Sequence, residues 1–207
     1  YTIVARAVDC AGNRSKEKKL CFTKDTTAPV LHLSGAKEDS YSTGEKQVQI
    51  SVKEHNYKNM EISAQITKQL DGKSTDIHFG AIRPNRENYT QSKIVQQTGT
   101  YAVTLTAQDK AGNVADKKTL QFTIDNEKPI IKISGVQKEN GYTSKVEPKI
   151  IFQDSYFKEK AITLKRSRGK SMAGITYKDK SSKKGGSRIY VNFPKAAKYD
   201  DLYTLTC

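Results

Sequence analysis

Tryptophan is absent from the 207 residues, methionine occurs twice and proline five times. No apolar run approaches the roughly 18 residues that span a bilayer, so no segment reads as a membrane helix and no insertion is expected. Hydrophobic residues make up 35% of the chain, with a mean hydropathy of −0.71. That is lean for one large core and adequate for small sandwiches with exposed outer faces. Three cysteines, Cys10, Cys21 and Cys207, exclude a dense disulfide framework, and no CxxC metal spacing occurs. The three histidines, His32, His55 and His78, lack a Ser or Cys partner motif, and His32 reads as an exposed strand residue. With no GxSxG, no HExxH and no phosphate-binding glycine loop, catalysis has no candidate. Without Trp, and with Tyr41, Tyr57, Tyr89, Tyr142, Tyr156 and Tyr177 scattered, no aromatic platform for sugar stacking stands out.

What the chain does have is positive charge, a formal +14. Nucleic-acid binding is the first reading of such an excess. The lysines are dispersed, however, and no nucleic-acid-binding motif accompanies them, so no nucleic-acid partner is expected. The densest run, Lys178 to Lys184, leads into Gly185-Gly186 and reads as a solvated loop, with a weak polyanion or membrane-surface role as its competitor.

Internal repetition is the strongest signal. Tyr1-Thr-Ile-Val-Ala-Arg-Ala-Val-Asp9-Cys-Ala-Gly12-Asn13 aligns without a gap on Tyr101-Ala-Val-Thr-Leu-Thr-Ala-Gln-Asp109-Lys-Ala-Gly112-Asn113. At the same spacing Phe22, Asp25 and Pro29 match Phe122, Asp125 and Pro129. Leu33-Ser-Gly35 matches Ile133-Ser-Gly135, and Glu54 and Tyr57 fall opposite Asp154 and Phe157. A further copy begins at Tyr203-Thr-Leu-Thr-Cys207.

Within each copy the hydrophobic period is two. Tyr101, Val103, Leu105 and Ala107 share one face, as do Leu120, Phe122 and Ile124, and Val48, Ile50 and Val52. Such alternation places one face on a core and the other in water, as antiparallel sandwich strands require. The spacing predicts strands near 29–34, 47–53, 60–68, 92–97, 101–108 and 118–125. A turn is expected at Asp71-Gly72-Lys73, with an irregular stretch after it. The Asp-x-x-x-Pro segments at Asp25 and Asp125 read as stiff joints, because proline fixes φ and ends a ladder.

The ordered set Tyr-x-Val-x-Leu-x-Ala-x-Asp-x-Ala-Gly-Asn, Phe-x-Ile-Asp-x-x-x-Pro and a following Ser-Gly resembles bacterial Ig-like domains. The likeness is to those strung along large surface proteins of Gram-positive, gut-type bacteria. It implies tandem immunoglobulin-like Greek-key β-sandwiches, all-β, on an extracellular stalk or adhesin. Tyr101 and Tyr203 would be tyrosine corners, a Tyr that opens strand F and bonds back to upstream backbone. The chain would then comprise a hairpin of a preceding module (1–25), a whole module (29–125) and a module without the end of strand F and strand G (129–207). Neighbouring modules are the expected partners, and the missing and surplus strands would allow head-to-tail association.

Two site readings remain open at this stage. Asp109, Asp125, Glu54 and Asp154 fall near module ends, where hard oxygen ligands would suit Ca²⁺. Turn and cap roles explain the same residues. Cys10 and Cys21 flank the turn of the first hairpin, a placement open either to a bridge in an oxidising exterior or to two free thiols. Cys207 takes the inward position of Leu105 and packs as a small apolar residue. The expected role is a spacer; its alternative is a carbohydrate- or protein-binding accessory module.

Overall fold

The computed structural model describes residues 1–137, 141, 146–156, 158–159, 161–166, 176–182, 186–192 and 203–206. Side chains are not described for 164, 166, 176–182, 186–188, 190–192 and 203. The described elements are strands, and the chain is all-β with sandwich-like sheets. It divides into two compact units, Tyr1–Ile124 and Asp125–Cys207.

The first unit opens with a separate hairpin, β1 (Thr2–Ala5) on β2 (Lys18–Cys21). Its sandwich then follows. One sheet has three strands in the order β3 (Val30–Ser34), β5 (Lys46–Lys53), β8 (Asn88–Val95). The other places β4 (Ser40–Ser42), β10 (Lys118–Ile124), β9 (Gly99–Gln108), β6 (Glu61–Leu70) and β7 (Lys73–His78) side by side. Period-two alternation becomes a core directly. Val48, Ile50 and Val52 from one sheet meet Tyr101, Val103, Leu105, Phe122 and Ile124 from the other, all fully buried. Each such side chain contributes about 1.5–3 kcal/mol over its exposed state.

Two strands depart from the sequence expectation. The stretch after Asp71-Gly72 is not irregular: β7 pairs with β6 from Leu70↔Lys73 to Gln65↔His78. Asp71 at φ 51° and Gly72 at φ 77° form the two-residue turn whose twist matches a hairpin. Polar β7 escapes a search by hydrophobic alternation because its side chains lie on an edge and mostly in solvent. β4 runs parallel to β10, so the chain crosses from one sheet to the other after β3. Gly35 makes that crossing, at φ 108°, and a Cβ there would collide with the carbonyl oxygen of Gln47. Gly135 stands in the same relation to Glu147, which explains why Ser-Gly recurs in both copies.

In the second unit, β11 (Ile130–Ser134), β12 (Lys149–Gln153), β15 (Gly186–Asn192) and β14 (Thr176–Ser182) form one antiparallel sheet in that order. β13 (Thr163–Arg166) pairs with β16 (Tyr203–Thr206). Among its described side chains Ile150, Phe152 and Ile189 are buried, with Ile162 and Leu205 packed against them. Lys178 to Ser182 therefore belong to a strand, a correction to the loop reading. Strong β propensity is not needed where a neighbouring strand supplies the ladder. Residues 183–185 lie outside the described residues.

Candidate functional site

One end of the first sandwich gathers three acidic side chains from three different places in the chain. After β9, the backbone turns through Asp109-Lys-Ala-Gly-Asn113. The Asn113 backbone N–H donates to Asp109 Oδ1 and its side-chain amide to Oδ2, both at 2.8 Å. Asn113 Nδ2 also lies 3.4 Å from the Asp25 carbonyl oxygen. After β5, Glu54 Oε1 accepts from the Asn56 N–H at 2.7 Å. The Asn56 amide then donates to Asp25 Oδ2 at 2.7 Å, while Asp25 Oδ1 accepts from Thr27 N–H at 3.1 Å. The incoming joint is thus fastened to both turns.

Carboxylate oxygens of Asp25, Glu54 and Asp109 all lie within 4.8 Å of one another. Glu54 and Asp109 are only 4% and 5% exposed. Burial by itself would push the Asp109 carboxyl up. Hydrogen bonds from the Asn113 side chain, and from the N–H groups of Asn113, Ala111 and Gly112, outweigh it and hold the group below its ordinary value. Neither the Arg6–Glu17 ion pair nor the His55–Glu87 contact brings a cation to these three carboxylates. The arrangement can therefore cap turns, and it offers hard oxygen ligands to a divalent cation.

Sequence reasoning named Glu54 and Asp109, and the structure brings them together. It missed Asp25. The signal was available, because Asp25 is the repeat counterpart of Asp125, but the acidic residue of a joint engages the module it enters. Asp125 and Asp154 lie in the second unit. There they accept the Glu127 N–H at 3.1 Å and the Tyr156 N–H at 2.7 Å. Their nearest analogues, Asp25 with Thr27 and Glu54 with Asn56, use the same two-residue geometry.

Tyr101 Oη donates to the Gln97 carbonyl at 2.7 Å, and its ring stacks on Phe122 at 5.2 Å. The side chain of Tyr203, and Cys207, lie outside the described residues. Cys10 and Cys21 are free and exposed, so the bridge considered from sequence is not formed. Cys21 pairs with Thr2 at the open end of the first hairpin, whereas Cys10 sits at its closed end. At the rise of an extended strand that separates them by roughly 20 Å, far beyond disulfide reach.

Residues 31–126 match the family model described as Bacterial Ig-like domain. No curated protein matches the chain. The carboxylate cluster lies at the end of the matched span where the chain enters; that span contains Glu54 and Asp109 but not Asp25. Such domains are generally non-catalytic modules and typically occur in extracellular and surface proteins. No helix among the described residues is long and apolar enough to cross a membrane.

Proposed function

We propose that this chain is a spacer segment of a bacterial cell-surface protein, built from one whole Ig-like module at 29–125 between a hairpin at 1–25 and a further module at 129–207. The Gram-positive, gut-type setting is part of the proposal and follows the sequence resemblance. The observation that carries it is the fastening of Asp25 to Asn56 and Asn113. A joint tied by side chains to two turns of the next module gives up its freedom, which is what a stalk requires and a loose tether does not. The same end offers Asp25, Glu54 and Asp109 to Ca²⁺, and a cation there would add a second tie.

Small-angle scattering of the full chain tests this. Asp25→Ala should raise the high-angle signal of flexibility above that of wild type without lowering β content. An unchanged profile would overturn it. The ligand-binding alternative is favoured by a different observation, the basic sheet face described next.

A further inference from the structure

The net charge is unevenly distributed. Residues 29–125 contain 12 Lys and Arg against 11 Asp and Glu, whereas residues 129–207 contain 17 against 7. Two segments that share a repeat thus differ from near neutrality to strongly basic, so the excess is not a requirement of the fold.

Strand register places part of it on one surface. Ile150, Phe152 and Ile189 are buried and define the inner face of the β11-β12-β15-β14 sheet. Cross-strand partners share a face and successive residues alternate. Two rows therefore lie on the other face: Lys132–Ile151–Arg188–Lys180, and Ser134–Lys149–Tyr190–Lys178. With strands about 4.8 Å apart and alternate residues about 7 Å apart, five cationic residues and one tyrosine occupy a patch roughly 15 Å by 7 Å. None of the eight positions is acidic.

The first unit supplies an internal comparison. Its corresponding rows are His32–Ser51–Thr90 and Ser34–Gln49–Ser92, without a lysine or arginine. The neighbouring row, Val30–Lys53–Asn88, holds one lysine, and its counterpart Ile130–Gln153–Gly186 holds none. In the second unit Arg188 stands directly opposite Lys180. Like charges so placed destabilise a sheet, and an anion bound across them would offset that cost; the three-stranded sheet of the first unit has no strand in the place of β14.

We propose that this face binds an anionic polysaccharide, with Lys132, Lys149, Lys178, Lys180 and Arg188 supplying the positive charge of the two rows and Tyr190 their one aromatic residue. Single-stranded nucleic acid is held on successive aromatic platforms, and this face has one aromatic, flanked in its row by Lys149 and Lys178. The inference stands independently of the spacer reading.

Calorimetry of the full chain with a heparin oligosaccharide at about 0.15 M salt tests it. Lys178→Gln/Lys180→Gln/Arg188→Gln should weaken binding about tenfold or more, as three lost charge contacts imply. Lys132→Gln/Lys149→Gln, on two other strands, should act in the same direction, so that misfolding of one variant does not decide the outcome. Tyr190→Ala should weaken binding at every salt concentration. A control of equal charge, Lys53→Gln/Lys58→Gln/Lys118→Gln in the first unit, should leave it unchanged. Equal weakening by that control, or no heparin binding at all, would overturn the proposal. Tighter binding of single-stranded DNA or of phosphatidylserine vesicles through the same residues would overturn the choice of ligand.

Discussion

Asn113 donates to the Asp109 carboxylate twice, once from its backbone N–H and once from its side-chain amide, each at 2.8 Å. Asp9 and Asn13 repeat the pair at the same two distances, on a hairpin whose side chains are exposed. Tyr1 likewise stacks on Phe22 at 5.3 Å, against 5.2 Å for Tyr101 on Phe122. The turn is therefore specified locally, and the sandwich adds burial to a geometry that the five residues reach by themselves.

Burial makes the two pairs unequal in energy. Asp109→Ala removes the acceptor of the turn's N–H groups and leaves the Asn113 donors unsatisfied, which should cost about 2 kcal/mol. Asp9→Ala should change the stability of the first unit little. Urea denaturation of both variants measures the difference; equal losses would contradict this account.

The lowered carboxyl of Asp109 carries a pH dependence. Its stabilisation is complete above the ordinary range of an unfolded aspartate and is lost as pH falls through the lowered native value. Denaturation midpoints should thus fall on acidification, and less steeply in Asp109→Asn, which has no proton to take up at this position. An identical slope in wild type and variant would assign the acid sensitivity elsewhere.

Gly35→Ala should be among the most damaging single changes in the first unit. It places a side chain at φ 108° and against the Gln47 carbonyl, where the neighbour is backbone and cannot swing away. Strain and collision together should cost about 3 kcal/mol. A thermal midpoint within experimental error of wild type would show that β3 and β5 separate more easily than their register suggests.

Tyr101→Phe keeps the ring on Phe122 and removes only the hydroxyl that satisfies the Gln97 carbonyl. The expected loss is about 1 kcal/mol. Chemical denaturation should show a lower midpoint with an unchanged slope, since the exposed area on unfolding is the same.

Calcium should raise the melting temperature of the first unit. At ten times a dissociation constant in the millimolar range of extracellular modules, the gain is about 1.4 kcal/mol, or roughly 6–11 °C for a domain of about 100 residues. Glu54→Gln should abolish the shift. No change at millimolar Ca²⁺ would leave Asp25, Glu54 and Asp109 as caps of their turns.

Much of this protein was legible in the sequence because period-two alternation and turn chemistry act over a few residues. Tyr101 to Gln108 had to be a strand with one wet face, and Asp109 to Asn113 had to reverse it. β7 and β4 were not legible: short or polar, they are strands only because β6 and β10 offer them a ladder. The bridge between Cys10 and Cys21 failed on register, a property of the whole hairpin. Asp25 reached its site only because β3 pairs with β5 from Val30↔Lys53 and the two sheets pack, which sets the entering chain beside two turns that lie 31 and 88 residues further along. Composition recorded a positive excess; the pairing of β11, β12, β15 and β14 alone decided that five of those charges share a face. Local sequence determined the strands and turns, because their energetics are settled between near neighbours. Which distant residues meet depended on strand order and register, which only the packed sheets supply.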